Sequence, residues 1–249
     1  WAPMQDALND RLTDFVRHYL MRQGAFVKQS EVYITLKNRV TPADATAALK
    51  ELATFAGYYA KFLDPIQEPH TAIRVALTRL NRLEVTTVYP FLLNVYRDYA
   101  QQTLNVAAFV EVLKALENYL IRRFVSGLAT NQLNKVFPSL YAQTQAQNSG
   151  DFTKALKQVL QSKGYPSDGL FAAKLPEVHL YGQGILERKG RFILEALETH
   201  AHKEQIVHLE SLTMEHVMPH NLNAEWRTYL GADAATIHER YLHTLGNLT

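Results

Sequence analysis

The segment Leu212-Thr213-Met214-Glu215-His216-Val217-Met218-Pro219-His220 sets a carboxylate beside an imidazole and closes the run with a proline. A carboxylate can hold a hard divalent cation such as Mg²⁺, and a neutral imidazole can take a proton from water. The pair therefore has the parts of a hydrolytic metal site. Along an extended strand successive side chains point to opposite faces, so Glu215 and His216 reach one centre only if the chain bends there. Pro219 and Asn221 are suited to such a bend. The plainer reading is an exposed charge next to a half-buried histidine, and spacing alone leaves both readings open.

The other candidates are weaker. Of ten histidines, seven (His200, His202, His208, His216, His220, His238 and His243) fall in the last fifty residues. His200 and His202 belong at a helix end, where the dipole favours them. His238 and His243 fall in a small helix or loop and read as surface or structural. His220 reads as an exposed loop residue with a lesser claim on a metal. Arg122 and Arg123, next to an apolar stripe, and Lys135 could meet DNA phosphates. The alternative is that the arginines are packed or ion-paired.

These residues must be positioned by helices. Leu8, Leu12, Phe15 and Tyr19 recur at helical spacing, and Gln23-Gly24 ends that run. Ser30 is placed to cap a second helix, and Thr41-Pro42 to start a third through Leu49, Leu52, Phe55 and Tyr59 as far as Asp64. Further helices are predicted over 71–83, from Tyr89, through the stripe Phe109, Leu113, Leu116, Leu120 and Phe124 closed by Gly127, over 130–147, over 151–162 and over 185–199. In the last of these, Phe192, Ile193 and Leu197 are the core candidates. The texture then changes. Residues 206–219 and 245–249 suggest short strands, with two small helices at 224–230 and 234–243 between them. The expected fold is mainly α: a multi-helix domain over 1–149, then 150–249 with a small, incomplete ββα-metal, HNH-like α+β end.

The chain of 249 residues is 47% hydrophobic and 20% charged, with eleven Gly and nine Pro, which fits a folded globular protein and not a linker. Net charge is only +2, so any contact with DNA would run through local patches. Without cysteine there is no disulfide, thiolate zinc site or Cys nucleophile, and a reducing, cytoplasmic setting is expected. No apolar run approaches the roughly 18 residues of a membrane span, and no signal-peptide pattern opens the sequence. Opening on Trp1-Ala2-Pro3, the chain is expected to be a piece of something longer.

Two ordered motifs carry a family resemblance. Glu215-His216-Val217-Met218-Pro219, then Trp226, then Tyr241-Leu242-His243-Thr244-Leu245-Gly246-Asn247-Leu248-Thr249 resembles the C-terminal nuclease domain of GmrSD-type restriction enzymes. The stretches Glu117 to Arg123 and Thr130 to Phe137 are similar to that family's central segment. The resemblance implies a His-Asn-His type endonuclease of a restriction or anti-phage defence system that hydrolyses DNA phosphodiesters with Mg²⁺ or another divalent metal. His216 would be the general base and Glu215 a metal ligand. Asn247 would be the central Asn that braces the loop carrying the base. The helix that would supply a further ligand lies past Thr249, so the fragment is expected to cleave poorly. Nucleotide would act only through an N-terminal domain that this sequence does not contain. The competing expectation is a helical DNA-binding or oligomerisation scaffold, with homo-oligomers possible and no catalysis.

Overall fold

The computed structural model describes residues 2–201 and 212–249. His202, His208 and part of the first expected strand lie outside the described residues. The chain is mainly helical, as the periodicities require. It divides into two compact units, Trp1–Leu120 with Ala129–Tyr165, and Ile121–Leu128 with Pro166–Thr249. No helix among the described residues is long and apolar enough to cross a membrane.

The first unit comprises α1 (Ala2–Leu8), α2 (Leu12–Met21), α3 (Val32–Arg39), α4 (Ala45–Leu63), α5 (Thr71–Asn81), α6 (Tyr89–Ala100), most of α7 (Val106–Val125), α8 (Leu133–Gln147) and α9 (Phe152–Gln161). Its interior is built on rings. Phe15, Tyr59 and Tyr89 meet edge to face at 5.3 Å, and Tyr96 meets Phe109 at 5.7 Å, in the geometry that aromatic quadrupoles favour. Local signals set the ends of these helices. Asp151 accepts from the Lys154 amide at 2.9 Å and caps α9, and Gly127, at φ 67°, turns the chain after α7. Of the residues Leu49, Leu52, Phe55 and Tyr59, the last three are buried and Leu49 is 41% exposed.

Two ionisable groups lie inside this unit. Glu68 is fully buried; it accepts from the Tyr96 hydroxyl and, at 3.0 Å, from the His70 amide, and Lys61 lies 3.5 Å away as its counter-charge. His18 faces the Tyr59 hydroxyl across 3.0 Å, and burial lowers its pKa from 6.5 to about 4. The unfolded chain therefore takes up this proton near pH 6.5, whereas the folded chain refuses it until about pH 4. Stability from neutral His18 is present above pH 6.5 and is lost as pH falls through that window, by about 3 kcal/mol in all. Urea unfolding at pH 7 and pH 5 checks this: His18→Gln should lose less stability between the two than the wild type does.

The second unit contains the last turn of α7, then α10 (Asp168–Lys174), α11 (Ile185–Ala201), α12 (Ala224–Leu230) and α13 (Ala234–Tyr241). Helix α10 escapes the periodicity because its seven residues show barely two turns; Ser167 caps it by accepting from the Leu170 amide. The two small helices of the insertion are where the pattern places them. Asn223 caps α12, accepting from the Trp226 amide at 2.8 Å. The core is small: Val125, Leu180, Ile193 and Leu248 are buried, with Phe124, Phe171 and Leu245 among the side chains packed on them. Leu197 is not in it. At 47% exposed, it lines an open groove with Leu194, Leu212 and Met214.

The expected strand, insertion, strand arrangement is reduced to backbone pairing. Among the described residues no strand forms, and the β contacts are two isolated antiparallel bridges, His179 with Thr244 and His216 with Leu248. Around the second bridge, Glu215 and Thr249 exchange both amide hydrogen bonds, at 2.9 and 3.0 Å. Val217 then donates to Asn247, which already lies in a 3₁₀ turn spanning Leu245–Asn247, so the ladder cannot extend.

Gly190 lets α11 approach this framework. A Cβ at Gly190 would stand 2.0 Å from the Leu180 carbonyl oxygen, a contact that no side chain can occupy. Gly190→Ala should push α11 off the 179–181 segment and destabilise the second unit by about 1–3 kcal/mol. A urea unfolding midpoint unchanged by the substitution would contradict this.

Candidate functional site

His216 is held by backbone on both sides. The pairing with 247–249 fixes Glu215 to Val217, and the buried Asn247 amide fixes the Met218–Pro219 turn. Asn247 Oδ1 accepts from the Met218 amide at 2.6 Å, and its Nδ2 donates to the Met218 carbonyl at 3.1 Å and the Leu242 carbonyl at 2.8 Å. One side chain thus closes both polar groups of Met218, directly before Pro219, and ties them to the end of α13. His238 on α13 adds a second tie, its Nε2 donating to the Pro219 carbonyl at 2.9 Å.

The bend brings rings together. The His216 and His220 ring centres are 4.3 Å apart, and His243 is 5.4 Å from each. Tyr181 meets the His216 ring edge-on at 4.3 Å and lies parallel to His243, 5.4 Å away with 11° between planes. His216 Nε2 and His243 Nδ1 are 3.3 Å apart. His220 and His243 therefore stand beside His216, although the sequence reading sets them apart as loop and structural residues. Their approach depends on how α13 returns the chain, and no spacing rule encodes that. Tyr181 carries no sequence signal at all.

The His216 pKa is lowered, first by burial and then by the neighbouring His220 and His243, with Glu215 opposing. The His243 pKa is lowered for the same leading reason, with His220, His179 and His238 adding to it. Both rings are thus held neutral at pH 7, the form in which imidazole accepts a proton.

The carboxylate of Glu215 is exposed and accepts from the Thr213 hydroxyl at 2.9 Å. Among the described residues no group of three or more His, Asp or Glu side chains is arranged to hold a metal ion. A single open carboxylate suits a hard cation that keeps its waters and takes phosphate oxygens, and does not suit a caged transition metal.

The basic candidates are placed differently. Arg122 pairs with Asp168 at 2.5 Å, donates to the Pro166 carbonyl at 3.1 Å and lies over the Phe171 ring. Arg123 is buried, 4% exposed. Lys135 is exposed on α8, in the first unit. Backbone pairing joins the segment that carries Glu215 and His216 to residues 247–249, and the Asn247 amide holds the turn after His216, while these three cations stand in other roles or places.

Residues 165–249, about a third of the chain, match the family model of GmrSD restriction endonucleases, C-terminal domain, and this segment is similar to that family. The stretches Glu117 to Arg123 and Thr130 to Phe137 lie before the match. No curated protein and no solved structure matches the chain.

Proposed function

We propose that the second unit is the catalytic part of a metal-dependent DNA endonuclease of the ββα, HNH type, acting in a restriction or defence system. The observation that carries this reading is the buried Asn247 amide, which holds the turn directly after His216, on a segment where that imidazole follows the exposed carboxylate of Glu215. His216 accepts the proton of the attacking water, the water oxygen bonds to phosphorus, and the bond to the leaving sugar oxygen breaks. Asn247 does no chemistry; it holds the Met218–Pro219 turn so that the imidazole stays fixed. Glu215 would hold the divalent cation, which when bound supplies positive charge to the phosphate and the leaving oxygen. The net charge of +2 fits a substrate met through this local site and not through a broad basic face.

The test is nicking of supercoiled plasmid by the full-length gene product. Cleavage should require Mg²⁺ or Mn²⁺, stop on chelation and fall with Glu215→Gln. Cleavage that survives both chelation and loss of the carboxylate would defeat the reading.

A further inference from the structure

We infer that His243 is a positioning residue for His216. It fixes the proton of the His216 ring on Nε2, so that Nδ1 presents its lone pair to water. The inference rests on His216 being the base, but its direct observables do not depend on cleavage.

His216 Nε2 and His243 Nδ1 face each other at 3.3 Å, a distance that holds one hydrogen between two ring nitrogens. In neutral imidazole one nitrogen donates and the other accepts. If His216 Nε2 donates to His243 Nδ1, the remaining His216 nitrogen is the acceptor that a general base needs. The opposite arrangement would leave His216 Nδ1 protonated and unable to take a proton. The hydrogen bond made by one nitrogen thus selects the chemistry of the other, the logic by which a third group orients a catalytic histidine.

The structure holds His243 for this task from two directions. Its carbonyl accepts from the Leu180 amide at 2.8 Å, next to the His179–Thr244 bridge. Its ring lies parallel to Tyr181 with 11° between planes, which restrains rotation about the side chain. Asn247 secures the adjoining Leu242 carbonyl at 2.8 Å, so the residue that braces the base also braces its orienting partner.

Two measurements test the inference. In the full chain with ¹⁵N-labelled histidine, at a pH where both rings are neutral, His216 should show the Nε2–H tautomer with a scalar coupling to His243 Nδ1. In His243→Phe, which keeps a flat ring against Tyr181 but offers no acceptor, the coupling should vanish and a share of Nδ1–H should appear. In the full-length gene product, His243→Phe should lower kcat about 10- to 100-fold with KM unchanged. His243→Asn, whose carbonyl can accept the same hydrogen, should recover most of that loss. An Nδ1–H tautomer at His216 in the wild type, or equal kcat for the wild type and His243→Phe, would overturn the inference. Undiminished cleavage by His216→Ala is a separate result, which would overturn the reading of the base instead.

Discussion

His216→Ala is expected to reduce plasmid cleavage by about 10²- to 10⁴-fold, the range contributed by a positioned general base. The loss should fall on kcat, because in the proposed role the imidazole would contribute to the transition state through proton transfer and not to ground-state binding of DNA. His220→Ala is the control. Its ring lies 4.3 Å from His216 but is exposed, and no hydrogen bond to His216 joins them, so its removal should change cleavage far less. Single-turnover rates at saturating enzyme separate the two variants. Equal losses at both positions would mean that the cluster acts as a unit and that His216 is not the base.

Asn247→Ala should have the largest effect on stability in the second unit. The amide makes three hydrogen bonds with backbone groups at 2.6–3.1 Å, and Asn247 is 6% exposed, so little water can replace it. Removing it strands the Met218 amide hydrogen and two carbonyls, at a penalty of roughly 1–3 kcal/mol for each buried group left unmatched. A total of about 3 kcal/mol is expected, a large share of the margin of a unit with so small a core. In a Trp1→Phe background Trp226 is the single fluorescence reporter, and its urea midpoint should fall. Cleavage should fall with it, since the turn that fixes His216 loses its tie to Leu242. A midpoint equal to the parent's would show that other contacts hold the turn.

Much of the fold is legible from residue order. The stripe Phe109, Leu113, Leu116 and Leu120 forms one buried face of α7 because a 3.6-residue period leaves no other use for such spacing. The insertion helices expected at 224–230 and 234–243 also form, and the structure bounds α12 with the Asn223 cap and Gly231. Leu197 departs from its expected place for a corresponding reason. Periodicity identifies an apolar face but not whether anything packs on it, and this side chain faces a groove. The pairing is shorter than the expected strands because β-branched texture gives a tendency to pair and no length of pairing. The 3₁₀ turn at Leu245–Asn247 ends the ladder instead.

Residue order alone sets the helical class, the histidine-poor first part and the adjacency of Glu215 and His216. Those depend on local rules: side-chain period, capping groups and which atoms can accept a proton. Which of the crowded histidines stand together is set by the tertiary fold. His243 reaches His216 because α13 returns the chain, Asn247 locks the turn, and Gly190 lets α11 close on the Leu180 carbonyl that adjoins it. A hydrogen bond between rings twenty-seven positions apart depends on that closure to within a few tenths of an ångström. Spacing along a chain cannot carry that information, because the path of the backbone in space is set by packing.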